Sequence, residues 1–177
     1  MESDDSVKWF AMRATYGRNM MAQRTLDIAN IESFVPTCKR TLKVGRRIKT
    51  EFAPLVRDLI FVKATKAEVQ EAKAKMSYLH YITFPVDGRN VPIDVPDEQM
   101  ENFIRVCSGE VEVEPLVDDV EYSVGDNVRI KQGALSGTVG RLVRIHGRRD
   151  SRFYVSIEGV CAITAKVGRD ELEKIEN

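Results

Sequence analysis

Hydrophobic and polar positions change period repeatedly along the first two thirds of the chain and then settle into short strand-like runs. In Lys8–Ala14, KWFAMRA, Trp9, Ala11 and Arg13 share one face of a strand, and Phe10, Met12 and Ala14 share the other. Both faces are largely apolar, which predicts a central strand covered on both sides. Gly17 ends it. Residues 18–31 place Ala22, Leu26 and Ala29 at i, i+4 and i+7, the stripe of an amphipathic helix. Residues 32–43 return to strand character, with Pro36 marking an edge or bulge. Residues 45–51 are polar and basic and read as a loop at a hairpin tip. In 54–64, Leu59, Phe61 and Lys63 alternate with Ile60 and Val62, a second strand apolar on both sides. A short helix over 66–76 rests on Val69, Ala72 and Met76. A strand over 78–84 follows, then the hairpin signal Asp87-Gly88 and a short strand over 90–95. The clearest helix spans 96–107. Pro96 sits at its start, Asp97, Glu98 and Glu101 load its first turn, and Met100, Phe103, Ile104 and Cys107 form its stripe.

Residues 7–107 thus read β-α-β-β-α-β-β-α, an α+β sheet with helices packed on it. Residues 108–121 carry Glu110, Glu112, Glu114, Asp118, Asp119 and Glu121 with no base and read as an extended connection. From 122 onward only strands are predicted, over 127–131, 138–146, 153–157, 161–166 and 171–175, which imply a small SH3-like barrel. Its clearest stretch is GDNVRIKQGALSGTVG. Gly125 precedes a half-buried strand on Val128 and Ile130; Gly133 opens a tight connection; Gly137 and Gly140 follow, with Gly140 inside the next strand, where glycine marks a bend or a close backbone approach.

Composition narrows the function more by exclusion. Lys plus Arg and Asp plus Glu both number 27, so no global field draws the chain to nucleic acid or to a membrane. The charges are nonetheless segregated. Lys39, Arg40, Lys43, Arg46, Arg47 and Lys49 form a basic run, and on a mobile tip such a run can displace counterions from nucleic acid. The three cysteines, Cys38, Cys107 and Cys161, have neither metal-ligand spacing nor a disulfide framework and suit a reducing, cytoplasmic setting. No stretch is long and apolar enough to span a membrane, and the acidic start MESDDSVK is no signal peptide. His80 and His146 have no serine, cysteine or acid at triad spacing, and no Walker loop is present. We therefore expect no enzyme, no metal and no cofactor.

KWFAMRA, the basic hairpin, PLVRDLIFV, the α+β end, the acidic connection and GDNVRIKQGALSGTVG occur in an order that resembles the NusG family of transcription factors across nearly the whole chain. The resemblance implies an NGN domain over 6–107, an acidic linker over 108–121 and a KOW domain over 122–177. It implies docking of the NGN domain on the clamp helices of RNA polymerase, near upstream or non-template DNA, with suppression of pausing and termination. The KOW domain would recruit a ribosomal protein or a termination factor. Carried over motif by motif, the polymerase-facing apolar patch would comprise Trp9, Phe10, Val56, Leu59, Phe61, Phe84, Met100 and Phe103. The nucleic-acid contact would comprise Lys43, Arg46, Arg47 and Lys49. Val56-Arg57-Asp58-Leu59 stands where housekeeping members usually carry a Phe-Pro-Gly-Tyr type sequence, which points to a specialised antiterminator of the RfaH or UpxY kind, acting on long polysaccharide-type operons. The Val, Ile, Thr and Gly content of 122–177 opposes helix and argues against a fold switch. A monomer is expected. The rival reading is a KOW-containing ribosome- or RNA-associated protein; its weakness is the balanced charge, since an rRNA binder is normally strongly basic.

Overall fold

The computed structural model describes residues 5–117 and 120–176. Asp118 and Asp119 of the acidic run lie outside these. The chain divides into two compact units, Met1–Met100 and Glu101–Asn177.

The first unit is built on β1 (Lys8–Ala14), the strand with two apolar faces. β1 pairs antiparallel with β5 (Leu59–Ala64) on one side, in the register Phe10↔Val62 and Ala11↔Phe61. Its other edge is shared by β6 (Leu79–Tyr81) and β9 (Asp94–Val95). The short strand β2 (Glu32–Phe34) adds outside β5. One face of this sheet presents Phe10, Met12, Ile60 and Val62 to α1 (Asn19–Ile28) and α2 (Lys66–Lys75), forming a core with Leu26, Val69 and Leu79. Helix α2 starts where the sequence provides a reciprocal cap. The Glu68 backbone N–H donates to Thr65 Oγ1 (3.3 Å), and the Thr65 N–H donates to Glu68 Oε2 (2.8 Å). The Thr65 hydroxyl also donates to Glu68 Oε2 (2.9 Å), and the Thr65 N–H and hydroxyl together hold the Glu68 carboxyl below its usual range.

Two ribbons leave this sheet as separate two-stranded sheets. β3 (Thr37–Val44) pairs with β4 (Arg47–Pro54) along its whole length. The segment expected to be a loop over 45–51 is thus mostly strand. Only Gly45-Arg46 forms the connection, with Gly45 at φ +62°, and alternation carries Ile48, Thr50 and Phe52 to one side of β4. β7 (Thr83–Val86) pairs with β8 (Arg89–Pro92) across Asp87 and Gly88, both with positive φ as an Asp-Gly hairpin requires. The Ile82 N–H donates to Ala11 O, and the Ala11 N–H donates to Ile93 O, pinning both roots of this ribbon to β1.

Helix α3 (Asp97–Ser108) begins in the first unit and ends in the second. Beyond it a six-stranded antiparallel sheet runs in the order β10-β14-β13-β12-β11-β15. Its strands are β10 (Val113–Pro115), β11 (Tyr122–Ile130), β12 (Val139–Ile145), β13 (Ser151–Ile157), β14 (Cys161–Ala165) and β15 (Leu172–Lys174). Among the described residues no pairing between β10 and β15 closes it. Val128, Ile130, Val143, Phe153 and Ile163 are buried. Gly133 and Gly137 hold φ +83° and +86° in the β11–β12 connection, and Gly140 lies where a Cβ would stand 2.5 Å from Phe153 and 2.6 Å from the Tyr154 carbonyl. The close approach expected of that glycine is present.

Within the acidic stretch, expected as an extended connection, Val113–Pro115 is strand β10. The Leu116 N–H donates to Ala162 O (2.9 Å), and the Lys166 N–H donates to Glu112 O (3.0 Å). The cause is on β13. Arg152 is nearly fully buried, donates through Nε to Thr164 Oγ1 (3.1 Å), and has the carboxylates of Glu112 and Glu114 at 3.8 and 4.0 Å. Arg148 adds a second contact to Glu114 at 2.8 Å. A buried guanidinium needs countercharge, and the run of acids supplies it.

Candidate functional site

The eight residues expected to form one apolar patch are divided by the fold. Strand alternation and the β1–β5 register put Trp9, Leu59 and Phe61 on the sheet face away from α1 and α2 and Phe10 on the opposite one. Phe10 is therefore a core residue, 5.6 Å edge-on to Tyr81. On the other face Trp9, Leu59 and Phe61 are buried. Met100 and Phe103, which lie on α3, are buried too. Leu59, Phe61 and Met100, expected on an open apolar surface, are thus under cover. A six-residue strand with five side chains under cover has no spare apolar surface to present, because a small unit needs those side chains for its interior. Val56 is half-buried in the turn before β5. Phe84 is the exception at 44 % exposure, and the β7–β8 ribbon adds Val86 and Val91, also exposed. Lys63 Nζ stands 5.6 Å over the Trp9 ring and pairs with Asp97 at 3.7 Å, so this edge of the buried face is ringed by charge.

The basic residues are also sorted by register. Lys43 faces Ile48 across the β3–β4 ribbon, whereas Arg47 and Lys49 lie on the other face, opposite Val44 and Leu42, and Arg46 sits in the turn. All four are exposed. Four large apolar side chains share the ribbon and are exposed with them: Leu42, Val44, Ile48 and Phe52. Ile48 was missed as a site candidate when 45–51 was read as a loop, and Phe52, just beyond it, was set aside as a lone stacking face; the alternation Ile48, Thr50, Phe52 was the available signal.

The six residues of the glycine-rich motif lie together in the second unit. Gly125, Val128 and Ile130 are on β11, Gly133 and Gly137 in the β11–β12 connection, and Gly140 on β12. Gly125 sits at a register shift between Val124 and Asn127, and its carbonyl accepts from Arg141 Nη2 at 3.2 Å.

Among the described residues no group of three or more His, Cys, Asp or Glu is placed to hold a metal ion, and no helix is long and apolar enough to cross a membrane. A groove of about 550 Å³ between α1 and α2 is lined by Leu26, Ile28, Ile31 and Met76 with Glu68, Glu71 and Lys75; no serine, cysteine or histidine lines it. Burial pushes the Cys161 thiol up to about 12, the reverse of what a nucleophile needs. What the surface offers is two wet ribbons, one apolar and one basic with apolar side chains. Residues 7–104 of the 177 match the family described as NusG, transcription termination factor nusG. The chain belongs to the NusG family. NusG proteins are transcription factors and not enzymes. No curated protein matches the chain. A solved structure of NusG from Thermotoga maritima, reported for its domain interaction, superimposes with a TM-score of 0.51 at 20 % identity, covering 97 % of this chain and 98 % of that one. At that identity the likeness carries the mixed α/β fold of the NusG type.

Proposed function

We propose that this NusG-family chain is an elongation and antitermination factor. It docks on the clamp helices of RNA polymerase through residues 6–107 and suppresses pausing and termination. Residues 122–177, with β10 added to them, act as a KOW module of the SH3-like kind that recruits a ribosomal protein or a termination factor. The observation that carries the reading is the family match over 7–104. The surface supports a docking role: Phe84, Val86 and Val91 stand exposed together on a ribbon pinned to β1, and exposed contiguous apolar side chains mark interaction sites. Leu59 and Phe61 enter the contact only if the side chains that bury them move aside. Lys43, Arg46, Arg47 and Lys49 are placed to meet upstream or non-template DNA. The Val56-Arg57-Asp58-Leu59 turn, with Asp58 at φ +64°, supports a specialised UpxY- or RfaH-like factor for long polysaccharide-type operons.

The test is retention on core polymerase with and without its clamp-helix segment. Phe84→Ser with Val91→Ser is expected to abolish retention while the fold still melts cooperatively, because both side chains are wet already. Leu59→Ala is unsuited to the purpose. That side chain is 3 % exposed, and truncating a buried leucine costs ~2–5 kcal/mol. Full retention of the Phe84 and Val91 variant, or retention on polymerase lacking the clamp helices, would overturn the proposal.

A further inference from the structure

Among the described residues the β3–β4 ribbon makes no strand pairing outside itself. A two-stranded ribbon wet on both faces is marginal alone, so a face that gathers apolar side chains is there to be covered. Register decides what each face holds, because directly paired residues point to the same side. The first face carries Lys39, Thr41 and Lys43 opposite Phe52, Thr50 and Ile48. The second carries Arg40, Leu42 and Val44 opposite Glu51, Lys49 and Arg47. The second face is partly neutralised from within, since Lys49 Nζ lies 3.9 Å from Glu51 Oε2. The first face has two lysines, no acid, three threonine hydroxyls including that of Thr37 at its root, and the ribbon's two most exposed apolar side chains, Ile48 at 75 % and Phe52 at 68 %.

We propose that this first face binds an unpaired nucleic-acid segment, with a base stacked on Phe52 and the flanking phosphates held by Lys39 and Lys43. Phosphate contact needs only charge and would be served equally by either face. What distinguishes the first face is an aromatic ring standing in water beside uncompensated lysines. Beside uncompensated lysines, that ring suits a ligand that brings a free base π-face together with phosphate. In a duplex the base faces are already stacked, whereas in a single strand they are open, and stacking on them tolerates any sequence. Thr41 and Thr50 can donate to the same sugar–phosphate backbone. This deepens the nucleic-acid part of the proposed function and rests on it only for where the strand comes from.

The test uses the full chain and fluorescence anisotropy with a labelled single-stranded DNA, an RNA of the same sequence and the blunt DNA duplex, each over a salt series. Phe52→Ala is expected to weaken single-strand binding about tenfold, within the range of one lost base stack, to leave the salt slope unchanged and to leave duplex binding as it was. Phe52→Trp should restore it. Lys39→Gln with Lys43→Gln should lower the salt slope for the single strand by about 1.4, since each phosphate contact contributes about 0.7. Leu42→Ala, on the second face, should change neither. The DNA and RNA arms say which strand is preferred. Equal weakening of single strand and duplex by Phe52→Ala, no effect of that change, or binding of polyglutamate as tight as of the single strand would overturn the proposal; the last would mark an acidic-protein surface. Retention on polymerase without single-strand binding would remove this inference and spare the proposed function; the reverse outcome would do the opposite.

Discussion

Removing the carboxylates that face Arg152 should peel β10 from the second sheet, and the size of the effect follows from the geometry. The Arg152 side chain is 3 % exposed, while Glu112 and Glu114 are 58 % and 38 % exposed. Two unit charges ~4 Å apart attract by ~4 kcal/mol at an effective dielectric of ~20 and by ~1 kcal/mol in water. Because both carboxylates face solvent, each contact belongs near the lower figure, ~1 kcal/mol. Glu112→Gln with Glu114→Gln should therefore weaken the β10–β14 pairing by ~2 kcal/mol, which is ~30-fold at 1.4 kcal/mol per decade. The readout is hydrogen exchange at the Leu116 and Lys166 amides, whose bonds cross between the two strands. It reports local opening and needs no two-state unfolding of a two-unit chain. The cycle is completed in an Arg152→Met background, where the same two changes remove only the Arg148–Glu114 contact and should accelerate exchange ~30-fold less than they do with Arg152 present. The exposed Arg148–Glu114 contact is present in both backgrounds and cancels. Equal acceleration with and without Arg152, or none in either, would refute the view that the buried guanidinium holds the acidic strand.

Further outcomes follow from single sites. Gly140→Ala must push a methyl against Phe153 and the Tyr154 carbonyl; it should cost ~1–3 kcal/mol as overpacking, measured by denaturant unfolding, whereas Gly125→Ala, with its nearest neighbour at 3.5 Å, should cost far less. Thr65→Ala should destabilise α2 by ~1 kcal/mol. Its partner Glu68 has a depressed folded value, so that carboxylate's contribution is present above the ordinary glutamate range and disappears as pH falls through the folded value; in Glu68→Gln this acid-side loss should vanish from a stability-against-pH curve. Cys161, whose thiol is raised to about 12, should resist iodoacetamide at mildly alkaline pH in the folded chain and react on unfolding, as followed by mass spectrometry. A fragment beginning at residue 110 should give a β-type circular dichroism spectrum, and a helical one would overturn the absence of a fold switch. A fragment beginning at 122 lacks β10 and strips Arg152 of both countercharges, so it should be the less stable of the two.

Sequence legibility followed the physics of each element. β1 and β5 could be read because a strand buried on both faces is apolar on both, and α2 because Val69, Ala72 and Met76 recur at helical spacing. Pairing partners were not legible. That β1 shares one edge between β6 and β9, and that the chain leaves between them as a ribbon, depends on contacts distant in sequence. The loop reading of 45–51 failed for a related reason: charge dominated the composition and hid the period-two placement of Ile48, Thr50 and Phe52. The strand within the acidic stretch was not legible because its reason for being ordered, Arg152, lies some forty residues downstream and looks in sequence like any other surface arginine.

The candidate site shows where inference from residue type alone reverses. Leu59, Phe61 and Met100 are the residues a helical partner would want, and they are also residues that a unit of this size needs for its interior. Alternation cannot tell an apolar face turned to a partner from one turned to a core. Exposure can, and it moves the argument to side chains that the interior does not use: Phe84, Val86 and Val91 on one ribbon, and Ile48 and Phe52 on the other. Both ribbons are separate two-stranded sheets, so their apolar side chains gain nothing from the core and cost solvation while they stay wet. Seven large apolar side chains stay in water on these two hairpins, and six bases stand on the β3–β4 hairpin against Arg89 alone on the other, a difference in charge that favours different partners for the two.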